Sequence, residues 1–319
     1  MHYTEIAVAL GNKCNAECRM CCFSANNLGN KQLNLSVISD FLKTAEKVEE
    51  ISTIHFTGGE AFLYYDMLLI LVELCNKIGK KATVITNAFW AKDEYTSCQK
   101  LYQLKEAGLY AIGVSYDQYH AEFVPAEYIR NVIRVAKKVG LKPSIQVTIA
   151  EKSKNGYWLD ELGCDLVDVI VNFIACDNVG RAQDYISEDA YIRRTKPHGC
   201  VCRKGGVFSV LFDGTVWPCC SPVVYHTDLC IGNIYNELHT VNDALEGMQK
   251  NPVLKVLRNK GFDYFLDIIK KNRLFEIPNE IISSCELCRM LFSNNQLKVL
   301  EPFLYEKLVN DNECVKYEL

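Results

Sequence analysis

Three cysteines stand close together near the start of the chain, in Cys14-Asn15-Ala16-Glu17-Cys18-Arg19-Met20-Cys21. Three thiolates on one loop can hold three irons of a [4Fe–4S] cube and leave the fourth iron open to an outside ligand. A zinc site would want a fourth nearby ligand, and buried cysteines without a metal need no such spacing; both remain alternatives. A second motif, Thr57-Gly58-Gly59-Glu60, joins two glycines, which allow close backbone approach, to a carboxylate. More cysteines follow far downstream: Cys200 and Cys202, then Asp213-Gly214-Thr215-Val216-Trp217-Pro218-Cys219-Cys220, then Cys285-Glu286-Leu287-Cys288.

The first motifs need a scaffold that ends strands in loops. Runs rich in β-branched residues predict strands at Glu5–Ala9, Thr53–Phe56, Ala82–Thr86, Ala111–Ser115, Pro143–Ala150 and Asp168–Phe173. Helix-period segments lie between them at Asn34–Glu49, Met67–Ile78, Thr96–Ala107 and Tyr128–Val139. Strand–helix alternation implies a parallel sheet with right-handed crossovers, and ligands then gather at the carboxyl ends of the strands. The cysteine loop follows the first strand and the Gly-Gly-Glu loop the second. After about Arg181 the pattern changes to a cysteine-bearing segment, a hairpin around Asp213-Gly214 and a helical run Asn242–Lys271, so a division into 1–182 and 183–319 is expected.

Composition narrows the setting. Sixteen cysteines without an export signal suit metal ligands in a reducing, cytoplasmic compartment better than disulfides. A net charge of −4 gives no basic footprint for nucleic acid, and no apolar run is long enough to span a membrane. At 319 residues the chain can bury a large core.

The Cys14, Cys18, Cys21 spacing and the Gly58-Gly59-Glu60 loop resemble those of the radical SAM superfamily. The resemblance implies a partial (β/α)6 barrel of α/β class, with S-adenosylmethionine completing the open iron of a [4Fe–4S] cluster. It implies cofactor contacts from Gly58, Gly59 and Glu60 to the amino group of S-adenosylmethionine, and from Asn87, Ser115, Asp117 and Arg181 to its other parts. A strand-end Ser or Asn is equally a helix cap, and Arg181 equally a structural ion-pair donor. The downstream cysteines resemble a SPASM or twitch extension holding an auxiliary iron–sulfur cluster, [4Fe–4S] in kind, on Cys202, Cys219, Cys285 and Cys288. Cys200 is the alternative to Cys202, the order within the 219–220 pair is open, and a zinc knuckle is the rival use of the same thiols.

Cys220 is surplus to that set. In extended chain adjacent side chains point to opposite sides, so with Cys219 on the cluster Cys220 faces away. A thiol S–H is weaker than a peptide Cα–H, so Cys220 can return a hydrogen atom to a carbon radical; the alternative is a small buried hydrophobe. From near residue 5 to about residue 295 the chain resembles the radical SAM peptide epimerases of epipeptide biosynthesis, the YydG type. The residues that carry this are Cys21-Cys22-Phe23-Ser24, Phe56-Thr57-Gly58-Gly59-Glu60, Ser115-Tyr116-Asp117-Gln118-Tyr119-His120, Pro218-Cys219-Cys220-Ser221-Pro222, Gly261-Phe262 and Ser283-Ser284-Cys285.

The resemblance implies conversion of L-Val and L-Ile residues of a ribosomally made precursor peptide to D-residues. The 5′-deoxyadenosyl radical takes the Cα hydrogen, Cys220 returns one from the other face, and a flavodoxin or ferredoxin supplies electrons. An oxidative maturase, thioether-forming or activating, is the rival within the class, and a non-catalytic metal protein the rival outside it. Thirteen residues before Cys14 leave no room for a leader-binding domain of ~80 residues, so the peptide is expected to meet the catalytic domain or the C-terminal helices. The remaining cysteines, at 22, 75, 98, 164, 176, 200, 230 and 314, read mostly as core.

Overall fold

Six parallel strands, built from apolar β-branched runs, form the frame of the computed structural model, which describes residues 3–26, 29–150, 157–202 and 205–310. They are β1 (Glu5–Ala9), β2 (Thr53–Thr57), β3 (Lys81–Thr86), β4 (Leu109–Ser115), β5 (Lys142–Ile149) and β6 (Ile170–Ala175), and they pair in chain order. Between successive strands run α1 (Leu35–Lys43), α2 (Tyr65–Lys77), α3 (Glu94–Ala107) and α4 (Ala126–Lys138), with only the short α5 (Tyr157–Asp160) before β6. This is the α/β fold with a parallel sheet that the alternating pattern implied. Consecutive residues of β1, such as Ile6, Ala7 and Val8, are all buried, as a strand covered on both faces requires.

The hairpin continues the same sheet. Past α6 (Ala182–Tyr185), β7 (Val207–Val210) pairs parallel with β1, and β8 (Thr215–Trp217) and β9 (Gly232–Asn233) extend it antiparallel. The β7–β8 turn needs Gly214, whose φ is +83° and whose Cβ position would lie 2.5 Å from the Tyr235 ring. Asp213 closes the turn by accepting from the Thr215 amide at 3.1 Å.

The predicted helical run Asn242–Lys271 is two helices, α7 (Val241–Lys250) and α8 (Pro252–Asn272). Pro252 has no amide hydrogen to continue α7 and keeps Asn251 extended, where the Asn251 side chain caps α8 by accepting from the Leu254 amide. Gly261 then interrupts α8 with φ +75°. The final cysteine pair lies on α9 (Ser284–Phe292), followed by α10 (Gln296–Asn310). No helix among the described residues is long and apolar enough to cross a membrane.

Candidate active site

The loop after β1 is held by its own backbone and by every neighbouring strand end. Asn26, at φ +74°, clamps Cys14 from both sides: its Oδ1 accepts from the Cys14 amide at 2.9 Å and its Nδ2 donates to the Cys14 carbonyl at 3.0 Å. Buried Asn12 bridges the Lys31 amide and the Gly29 carbonyl in the same way. Neither asparagine was singled out from sequence. The only signal is that asparagine tolerates left-handed backbone and bonds main-chain groups with both ends of its amide.

Gly58 and Gly59 bring the second loop onto the first. The Gly59 amide donates to the Gly11 carbonyl at 2.8 Å and the Glu60 amide to the Lys13 carbonyl at 2.9 Å. A Cβ on Gly59 would stand 2.3 Å from the Lys13 oxygen, and one on Gly58 2.6 Å from the Gly11 oxygen. The close approach these glycines allow here is therefore to the cysteine loop. The buried Glu60 carboxylate accepts from the Phe62 amide, the Thr86 hydroxyl and the Asn87 amide at 3.0, 2.7 and 2.7 Å, joining the ends of β2 and β3. Burial raises its carboxyl above the usual value, and these bonds pull it back.

Other expected cofactor contacts are engaged in the same framework. The Asn87 amide group donates to Asn15 Oδ1 at 2.9 Å and reaches Cys14 Sγ at 3.7 Å. Asp117 is fully buried beyond β4 and accepts from the His120 ring at 2.9 Å and from the amides of Tyr119, His120 and Thr148. Burial opposes its charge, but His120 and these donors hold the carboxyl below its ordinary value. After β6, the Arg181 amide donates to the Cys21 carbonyl at 2.9 Å and its guanidinium to the Ala25 carbonyl at 3.1 Å. Its buried Nε has no protein partner among the described residues. Ser115 ends β4 half-buried, its hydroxyl without a protein partner among the described residues.

Cys14, Cys18 and Cys21 thus share one space. Burial pushes the Cys14 thiol up to about 11, with Glu60 and Cys21 adding and Arg181 opposing. Cys18 is raised further, by burial and then by Cys21, Asp117 and Cys14. Thiols this reluctant to ionise become thiolates when a strong positive charge joins them, which iron supplies on binding. No three His, Cys, Asp or Glu side chains among the described residues close to the spacing of a single metal ion. A three-thiol loop with Arg181 beside it fits a cube whose irons each take one thiolate.

Three separate segments bring the other thiols together. Cys219 follows β8, Cys285 and Cys288 lie on α9 and Cys202 precedes β7. Burial raises Cys219, and the charges of Cys202 and Cys285 add to it. Cys288 is raised well above its usual value by burial, then by Cys219, Cys202 and Cys285. Cys200, the alternative to Cys202, donates to the Lys196 carbonyl at 3.0 Å. Of the cysteines read as core, Cys75 and Cys176 are buried and Cys98 packs on the core, whereas Cys164 and Cys230 are exposed; they sit in a surface turn and at the sheet's last strand. Cys314 lies outside the described residues.

Tyr225, which no motif marked, joins the two regions. Its ring stacks on Phe23 at 5.7 Å, and its hydroxyl donates to Ser209, which donates to the Cys219 carbonyl at 2.8 Å. Burial raises the Tyr225 hydroxyl, and Cys219, Cys220 and Cys22 all act on it. Burial lowers the His226 imidazole, and the nearby Cys22 backbone opposes this. Cys220 therefore stands within electrostatic reach of the same hydroxyl as the residue following Cys21.

A parallel α/β sheet carrying three thiols after its first strand defines a class, and family comparison gives the class its name. Residues 8–151 match the radical SAM superfamily model, so the chain carries a radical SAM domain. It is 28% identical over 319 residues to YydG, a candidate peptide biosynthesis protein of Bacillus subtilis (strain 168), covering 98% of this chain and 99% of that one. Among solved structures, native anSMEcpe with bound AdoMet and Cp18Cys peptide aligns with a TM-score of 0.56 at 15% identity, covering 98% of this chain and 99% of that chain. That likeness speaks for the fold.

Proposed function

We propose that this chain is a peptide epimerase, inverting L-residues such as Val and Ile in a ribosomally made precursor peptide. Its kinship with YydG across nearly the whole chain supports a peptide substrate. The observation that carries the reaction type is Cys220, a thiol adjacent in sequence to Cys219, whose carbonyl is joined through the Ser209 and Tyr225 hydroxyls to Phe23 of the first loop. Cys14, Cys18 and Cys21 hold a [4Fe–4S] cluster, and Cys202, Cys219, Cys285 and Cys288 a second iron–sulfur cluster. Residues 1–182 form the first unit and 183–319 supply the second.

When bound, the first cluster with S-adenosylmethionine supplies a carbon radical able to remove a Cα hydrogen. The chain's residues do the rest. Gly58, Gly59, Glu60, Asn87 and Asp117 fix the cysteine loop and strand ends around the cofactor, Arg181 sets positive charge beside the thiols, and Ser115 offers a hydroxyl without a protein partner among the described residues. Cys220 breaks its S–H bond to form a new Cα–H bond on the opposite face. The sulfur left behind takes one electron, ultimately from a flavodoxin- or ferredoxin-type donor, and one proton. Configuration inverts because removal and return occur on different faces.

The test is reaction of the anaerobically reconstituted protein with S-adenosylmethionine, reductant and a Val- and Ile-containing core peptide in deuterated water. A gain of one mass unit per modified residue, with D-Val or D-allo-Ile in the hydrolysate and loss of both in Cys220→Ala, is expected. A loss of two mass units, or product unchanged by Cys220→Ala, would move the chain to the oxidative maturases.

A further inference from the structure

Among the described residues, β6 is the one strand of the parallel set without an outer neighbour, and it lacks the features that protect a sheet edge. Its sequence, Ile170-Val171-Asn172-Phe173-Ile174-Ala175, has no charge and no proline, and its pairing with β5 runs without a bulge. Ile170, Phe173 and Ile174 are 67%, 60% and 43% exposed, although Phe173 and Ile174 point to opposite faces. Inner strands of parallel sheets bury both faces; this one shows apolar side chains on both, with a row of main-chain donors and acceptors that pair with no strand among the described residues.

The carboxyl end of β6 opens into a cavity of about 320 Å³ lined by Ile149, Phe173, Cys176, Ile192 and Ile282, with Arg194 among its walls. Cys176 and Ile282 pack in the same buried cluster as Ala16 and Cys18, so the cavity adjoins the first cysteine loop. Arg194 forms no ion pair among the described residues, whereas its neighbours do: Arg193 with Glu188 and Glu286, and Lys196 with Glu280. An apolar edge, an apolar cavity and a cation without an ion pair among the described residues thus meet beside the first cysteine loop.

We propose that the substrate peptide docks as an added strand on β6, placing an aliphatic side chain in this cavity and an adjacent acidic residue against Arg194. The proposal rests on the peptide reading above. Main-chain bonds to the alternate residues of β6 that face away from β5, along roughly 20 Å of strand, would give affinity independent of sequence. The cavity and Arg194 would select which residue lies beside the cysteine loop.

The test uses the iron-reconstituted protein with S-adenosylmethionine bound and no reductant, so it reads docking without chemistry. The probe is the synthetic peptide acetyl-Gly-Thr-Val-Ile-Glu-Val-Thr-amide, and the readout is amide hydrogen exchange across 170–175 together with affinity. At least tenfold slower exchange in that segment is expected. Alternate N-methylation of the peptide should abolish it, and Arg194→Glu should weaken the probe about tenfold while favouring its Glu-to-Lys version. Unchanged exchange at millimolar peptide, equal binding of the N-methylated peptide, or indifference to the charge swap would overturn the proposal. So would protection that precedes peptide and rises with protein concentration, which would assign the edge to a second copy of the chain. Slowed exchange without D-residues in the chiral assay would keep the docking and remove the epimerase reading.

Discussion

The two thiol groups are built in opposite ways. Cys14, Cys18 and Cys21 lie on one loop whose amides and carbonyls are tied to Asn12, Asn26, Gly59, Glu60 and Arg181. Cys202, Cys219, Cys285 and Cys288 come from three segments, and Cys202 is exposed at the margin of one of them. The first group is held by protein hydrogen bonds within its own loop and to the strand ends. The second converges where a hairpin, a helix and a connecting segment meet, so a bound metal would itself be a major tie there. A short loop on a rigid sheet gives preorganisation; distant segments make metal binding and folding the same event.

The largest expected effects separate the two groups by function. Cys14→Ala, Cys18→Ala or Cys21→Ala should reduce release of 5′-deoxyadenosine from S-adenosylmethionine to background, whereas Cys288→Ala should leave that release measurable and remove D-residue formation. Equal loss of cofactor cleavage in both sets would erase the distinction. A smaller effect should come from glycine. In Gly59→Ala the new Cβ meets a backbone oxygen at 2.3 Å, so the two loops must part, at about 3 kcal/mol and with lower iron content at the first group. In Gly199→Ala, near the second group, the space is open and only the φ of +79° resists, at about 1–2 kcal/mol. Thermal midpoints and iron analysis of the two variants read this directly.

Much of this was legible in the sequence, for a physical reason. A strand of a covered parallel sheet is a continuous β-branched run, so Glu5–Ala9 was placed without error and the other five strands within about two residues of their ends, and a CxxxCxxC loop after the first strand admits few uses. The pairing of Val207–Val210 with β1 left no local pattern, because partners about 200 residues apart share no periodicity. The break at Asn251-Pro252 was written in the sequence, yet the apolar periodicity on either side reads as one helix. Asn26, Tyr225 and the clamping roles of Gly59 and Arg181 are tertiary facts. Their residue types permit those contacts, but only the meeting of strand ends creates them.

Asp117 gives a pH-dependent version of the same comparison, because it ties β4 to β5 within the preorganised half. Its folded-state carboxyl lies below the ordinary 3.8, so the charged form contributes stability at pH values above that, and the contribution is lost as pH falls through the folded value. Acid unfolding of the cluster-free protein followed by tryptophan fluorescence should therefore steepen below about pH 4, within the range of ordinary carboxylates. Asp117→Asn, which keeps the shape but loses the charge facing His120, should lower stability at pH 7 by about 3 kcal/mol and flatten that acid limb. A variant with an unchanged acid limb would show that other carboxylates govern it.

The smallest expected effect tests preorganisation itself. If the first loop is held by protein bonds, removing iron with a chelator should change amide exchange little over residues 12–24, where the Asn12, Cys14 and Cys21 amides already have protein acceptors. Over 198–202 and 283–288 the same treatment should speed exchange several-fold, because Cys202 is exposed and Ser283 supplies the main cap of α9 through the Cys285 and Glu286 amides. The Ser283 hydroxyl also donates to Asp177 at 2.5 Å, so the start of α9 has one bond back to the chain after β6. Ser283→Ala removes both links at once, at about 1 kcal/mol. It should widen the exchange difference between the halves in the metal-free protein and leave it nearly unchanged in the metal-bound one. Equal loosening of both loops on chelation would mean that the barrel, too, depends on its metal for shape.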